Sequence, residues 1–141
     1  MKGIIFAILG GAFITLQSVA NARISLDIGT WQTATITQLT GFIAAFLILL
    51  VIKDRNFKNL RQVQPLYLIG GTFGAIVVFS SIMAIQQIGV TLTVAVLLIA
   101  QLFLTFIIDR KGWFGMDKQN MSLSQILGIT MMVVGVVILS L

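Results

Sequence analysis

The stretch Phe42-Ile43-Ala44-Ala45-Phe46-Leu47-Ile48-Leu49-Leu50-Val51-Ile52 has no polar side chain, and it stops abruptly at Lys53-Asp54-Arg55. It closes a longer segment that opens at Trp31 with a run rich in Thr and Gln. An α-helix rises 1.5 Å per residue, so about 20 residues cross a hydrocarbon core of about 30 Å. Residues 31–52 therefore have the length and composition of a membrane span. Four further segments share that character: residues 3–24 before it, then 65–88, 91–108 and 122–141 after it. Pro65 suits the first turn of the third segment, where a missing N–H costs nothing. A β-barrel is disfavoured by continuous apolar runs such as residues 94–100, because barrel strands alternate between lipid and lumen. The expected fold class is an all-α integral membrane protein, a single domain of five transmembrane helices over residues 1–141.

Composition agrees. The chain is 58% hydrophobic and 9% charged, with a mean hydropathy of +1.08. A water-soluble domain usually carries about 25% charged residues. There is no Cys and no His, which removes disulfides, thiolate chemistry, His-based metal sites and Ser-His-Asp catalysis. No Gly-rich phosphate loop is present, and the four carboxylates fall in loops or at segment ends. Nothing points to an enzyme, a cofactor or a metal. The net charge of +5 fits basic loops on one membrane face better than nucleic-acid binding.

The connections are short. Residues 25–30 are expected to join the first two spans, and residues 53–64 form a basic, polar loop. Gly89 nearly alone separates the third and fourth spans, which predicts a tight hairpin. Residues 109–121 carry both signs of charge and two glycines, Gly112 and Gly115. Trp31, Tyr67 and Trp113 fall near the expected interfaces, where amphipathic rings prefer to lie. No internal repeat or low-complexity segment stands out. Met1-Lys2, the following apolar run and Ala20-Asn21-Ala22 imitate a signal peptide with a small-x-small cleavage site. Gly10-Gly11 within that run favours a packed helix instead.

Polar groups inside lipid are costly unless paired, so they mark contacts between helices or a water-filled cavity. Gln17 and Asn21 are four apart and share one helix face, with Arg23 near the end of the same segment. Thr33, Thr35, Thr37 and Thr40 can each satisfy their hydroxyls on carbonyls of their own helix; Gln38 cannot hide so easily. Gln101 lies midway along the fourth segment, with Thr105 one turn on. Gln17, Asn21, Gln38 and Gln101 are the candidate cavity residues, and interhelical hydrogen bonding is the plainer reading of each. Gln86 and Gln87, at the hairpin end, read as solvated. Asp109 precedes Arg110-Lys111 and reads as an interfacial ion pair or, with Arg23, as an ion or gating site. Gly70 and Gly74 form a GxxxG, and Gly128 and Gly135 give the fifth segment a smooth strip. Both pairs suit close helix packing.

In sequence order, Leu16-Gln17-Ser18-Val19-Ala20-Asn21-Ala22 resembles the "QaxxNa" start of YdcZ-type bacterial inner-membrane proteins. Gly70-Gly71-Thr72-Phe73-Gly74-Ala75 resembles their "GGxxGa" third helix. Ala100-Gln101-Leu102, with Ile108-Asp109-Arg110-Lys111-Gly112-Trp113-Phe114-Gly115, is similar to their "GQl…iDhfGxxG" element. Gly128 and Gly135 fit the closing "Gxxlxxxgv" helix. The matches span nearly the whole chain. That family belongs to the drug/metabolite transporter superfamily, and the resemblance implies a five-helix half of a ten-helix inverted-repeat transporter. It does not imply a substrate. Ala100 stands where the family usually has Gly. The first segment lacks the Glu of the related small multidrug resistance proteins, so proton-coupled export of cations does not carry over.

The function this implies is a subunit of a bacterial inner-membrane secondary transporter. It would move a small polar or amphipathic solute by alternating access as a dimer, with the amides lining a cavity near the subunit interface. The rivals are a non-transporting helper that stabilises or regulates a larger partner, and a channel. Charge sets the expected orientation. With the N-terminus in the cytoplasm, Lys2, Lys53, Arg55, Lys58, Arg61, Arg110, Lys111 and Lys118 lie inside, and Arg23 alone lies outside. Short loops obey the positive-inside rule, so the N-terminus is expected inside and the C-terminus outside. Copies of one orientation pair only in parallel, whereas the superfamily's architecture needs an inverted pair. The expected partner is a separate five-helix subunit in an antiparallel heterodimer, with an antiparallel homodimer as the alternative.

Overall fold

Residues 23–28 contain neither proline nor glycine, and the first helix runs straight through them. In the computed structural model, which describes residues 2–52, 69–113 and 122–141, α1 is Lys2–Ile28 and α2 is Thr30–Ile52. The expected connection over residues 25–30 is thus almost wholly helical, and Gly29 alone separates the two helices. Ser25 and Asp27 look like loop residues, but both are tolerated in a helix that is ending near an interface. Ser25 bonds back to Ala22 O at 2.8 Å, and Asp27 pairs with Arg23 one turn earlier at 3.5 Å. Gly29 makes the reversal possible. Its φ of 93° lies in the region that L side chains avoid.

The third span opens as a single 3₁₀ turn, Ile69–Thr72, and continues as α3, Phe73–Ile88. The expected helix start at Pro65, the ring of Tyr67 and the basic loop of residues 53–64 lie outside the described residues. So do Gly115 and Lys118. Gly89 alone separates α3 from α4, Val90–Lys111, and has a φ of 79°. Gly112 ends α4, its N–H donating to Ile108 O. Ser122 opens α5, Leu123–Ser140, with a reciprocal cap. The Gln125 N–H donates to Ser122 Oγ at 3.3 Å, and the Ser122 N–H donates to Gln125 Oε1 at 3.0 Å.

Among the described residues there are five helices long and apolar enough to cross a membrane. Large apolar side chains stand open along them, including Phe6 at 72% and Phe13 at 68% exposure. A water-soluble protein would not leave such continuous apolar faces uncovered, but hydrocarbon is their natural solvent and helices satisfy their own backbone there. The chain divides into two compact units, Met1–Gln87 and Ile88–Leu141. In the first, α1 and α2 form a helical hairpin against which α3 makes side-chain contacts. In the second, α4 and α5 pack together.

Candidate functional site

Hydroxyl groups in the Thr-rich opening of α2 mostly turn back on their own helix. Thr33 donates to Gly29 O at 2.8 Å, Thr35 to Trp31 O at 2.9 Å and Thr40 to Ile36 O at 2.9 Å. Thr37 is the exception. Its hydroxyl crosses to α1 and donates to Asn21 Oδ1 at 2.8 Å. Asn21 and Thr37 lie at equal distances along the chain on either side of Gly29, so an antiparallel hairpin turning at Gly29 brings them level. Asn21 is 6% exposed, and a buried amide of this kind needs such a partner.

Gln38 follows Thr37 and is half-buried. Its amide lies where a side chain at Gly74 would go: a Cβ built on Gly74 would meet Gln38 Nε2. Gly74 therefore makes room for a polar side chain of α2 within the same chain. Gly70, Gly128 and Gly135 have no atom within 4 Å of a built Cβ. This contact predicts two outcomes. Gly74→Ala displaces only the far end of a flexible side chain and should be nearly neutral. Gly74→Leu fills the whole space of the amide and should push α3 off α2, lowering stability by about 1–3 kcal/mol. Thermal unfolding in detergent checks this; equal melting of the Leu and Ala variants would contradict it.

Three contacts unforeseen in the sequence tie α3 to the hairpin. Gln86 is exposed, as its place at the end of α3 suggested, and its Nε2 also donates to Ser25 Oγ at 2.8 Å. Trp31 and Phe79 stack with ring centroids 4.3 Å apart. The Thr30 hydroxyl also reaches Met83 Sδ at 3.9 Å. Phe79, Met83 and Gln86 are spaced at i, i+4 and i+7, one face of a helix. That spacing was the signal available, because an amide continuing an apolar stripe is placed to face a neighbour.

The remaining candidates are more open. Gln17 is exposed on α1, and Gln101 is exposed on α4, in the second unit; neither side chain makes a hydrogen bond among the described residues. Arg23 pairs with Asp27, with both side chains about two-thirds exposed (69% and 67%), so the pair adds little stability. Asp109 makes no ion pair among the described residues; its neighbour Lys111 instead lies 4.9 Å from the centre of the Trp113 ring. No group of three or more metal-binding side chains exists among the described residues.

Five apolar helices of membrane-spanning length, with the Asn21 and Gln86 amides bonded across α1, α2 and α3, fit a multi-pass membrane protein. The family described as "Putative inner membrane exporter, YdcZ", within the drug/metabolite transporter superfamily, matches residues 3–138, and the chain belongs to it. Neither the curated proteins nor the solved structures gave a match.

Proposed function

We propose that this chain is one half of a secondary transporter in the bacterial inner membrane, moving a small polar or amphipathic solute by alternating access. The observation that carries the reading is the family match over residues 3–138 together with five membrane-length helices. Five helices supply half of the inverted-repeat architecture of this superfamily, in which the solute site forms between the two halves. The charge bias puts the N-terminus and the basic loops on the cytoplasmic side. The second half is then a separate five-helix subunit of opposite orientation. Gln17, Asn21, Gln38 and Gln101 are the polar groups of this half offered to the shared cavity, and hydrogen bonding rather than charge is their means of recognition. Arg23, exposed, and Asp109, half-buried, lie near helix ends, where an ion or gating role is compatible with their positions.

The test runs in two stages. A solute-uptake and tolerance screen on a deletion strain selects the solute. The chain, alone and with its partner, is then reconstituted into liposomes and assayed with that solute. Saturable flux is the expected result. Fast non-saturable flux would make it a channel, and absence of flux in both preparations would make it a helper.

A further inference from the structure

Buried positions in the first unit crowd toward one end of its helices. They are Asn21, Ala22 and Ser25 in α1, Thr33 and Ala34 in α2, and Ser81 and Ile82 in α3. All lie in the halves of the helices that lead to or from the Gly29 turn and to Ile88. Contacts between the helices gather there as well: Asn21 with Thr37, Ser25 with Gln86, Thr30 with Met83, and Trp31 on Phe79. Past Gln38 and Gly74, no hydrogen bond or aromatic contact joins the three helices among the described residues. A Cβ added at Gly3, Gly10, Gly11 or Gly41 would meet nothing within 4 Å.

We infer that this end of the first unit is a closed gate, latched by the Ser25–Gln86 hydrogen bond, over the polar group of Asn21, Thr37 and Gln38. The inference rests on the transporter reading above and adds the device that closes one side of the path. Under the proposed orientation the gate is the outer one, because the Gly29 turn lies opposite the basic loops. The chemistry suits a latch that opens. Ser25 is buried and Gln86 is exposed at the end of α3; both are neutral, so no charge is stranded when they part. Each can then turn to water or to a carbonyl of its own helix, as Ser25 already does with Ala22 O. One interhelical hydrogen bond in a membrane biases an open–closed equilibrium by only roughly three- to fivefold. That is enough to favour closure and too little to lock it. Gln86 is a positioning residue in this account: it holds α3 on α1 and does not itself touch the solute.

The chain has no Cys, so a single reporter reads the gate. Ala22 lies one turn deeper in α1 than Ser25 and is 7% exposed. Ala22→Cys is labelled with a membrane-impermeant thiol reagent, added outside intact cells or to inside-out vesicles. Adding Gln86→Leu should speed labelling from the outside roughly three- to fivefold and leave the inside rate unchanged. Ser25→Ala removes only a hydroxyl and should give the same increase, which covers the case in which Gln86→Leu does not fold. Gel filtration in detergent establishes which variants are intact. Unchanged outside labelling in a folded variant overturns the gate, and so does an increase confined to the inside. Either result with saturable flux retained would remove the gate and leave the transporter standing.

Discussion

Gln101→Leu should abolish most of the saturable flux without lowering thermal stability. The side chain is exposed on α4 and makes no hydrogen bond among the described residues, so replacing it with an apolar residue removes no contact seen within this chain. In lipid the exchange of an unpaired amide for Leu is favourable by itself. An amide retained at mid-span is best explained by a polar partner in the assembled transporter. Loss of flux by a factor of about 10 or more would correspond to about 1.4 kcal/mol of lost interaction with the moving solute or its gate. Asn21→Leu should behave differently. Asn21 is buried and accepts the Thr37 hydroxyl, so its loss should lower the melting temperature as well as flux. The stability cost should be about 1 kcal/mol, since Thr37 can return to a carbonyl of its own helix. Liposome flux and thermal unfolding, measured on the same preparations, separate the two. Wild-type flux by both variants would remove these amides from the solute path.

That contrast also marks how far the sequence could be read. The spans were legible because an uninterrupted run such as residues 42–52 has no alternative home in a folded protein. The break at Gly89 was legible because a lone glycine stands between two spans. The turn at Gly29 was hidden by Ser25, Asp27 and Thr30, which look like a loop. Near a membrane interface such residues can finish a helix, and only the φ of Gly29 shows where the chain reverses. The polar residues could be recognised as out of place in lipid, but not assigned partners. Ser25 and Gln86 are 61 positions apart in sequence, and their meeting depends on how α3 lies against the hairpin. The same holds for Gln38 and Gly74. The GxxxG pattern announced close packing and gave no hint that an amide of the same chain would occupy the space at Gly74.

The central claim is that every copy inserts one way, with Lys2 inside, so that a transporter requires a second subunit of opposite orientation. The proposed orientation rests on charge: eight of the nine Lys and Arg residues fall on one side when the five spans are threaded through a membrane. Dual insertion needs a near balance of such residues, which this chain lacks. The most direct measurement uses single cysteines at Asn56, in the basic loop, and at Gly89, between α3 and α4. Each is exposed in intact cells to a membrane-impermeant thiol reagent, with total thiol measured after permeabilisation. Gly89→Cys should label in intact cells, and Asn56→Cys should label only once the membrane is opened. Comparable labelling of both positions in intact cells would show insertion in both directions, and would contradict the heterodimer.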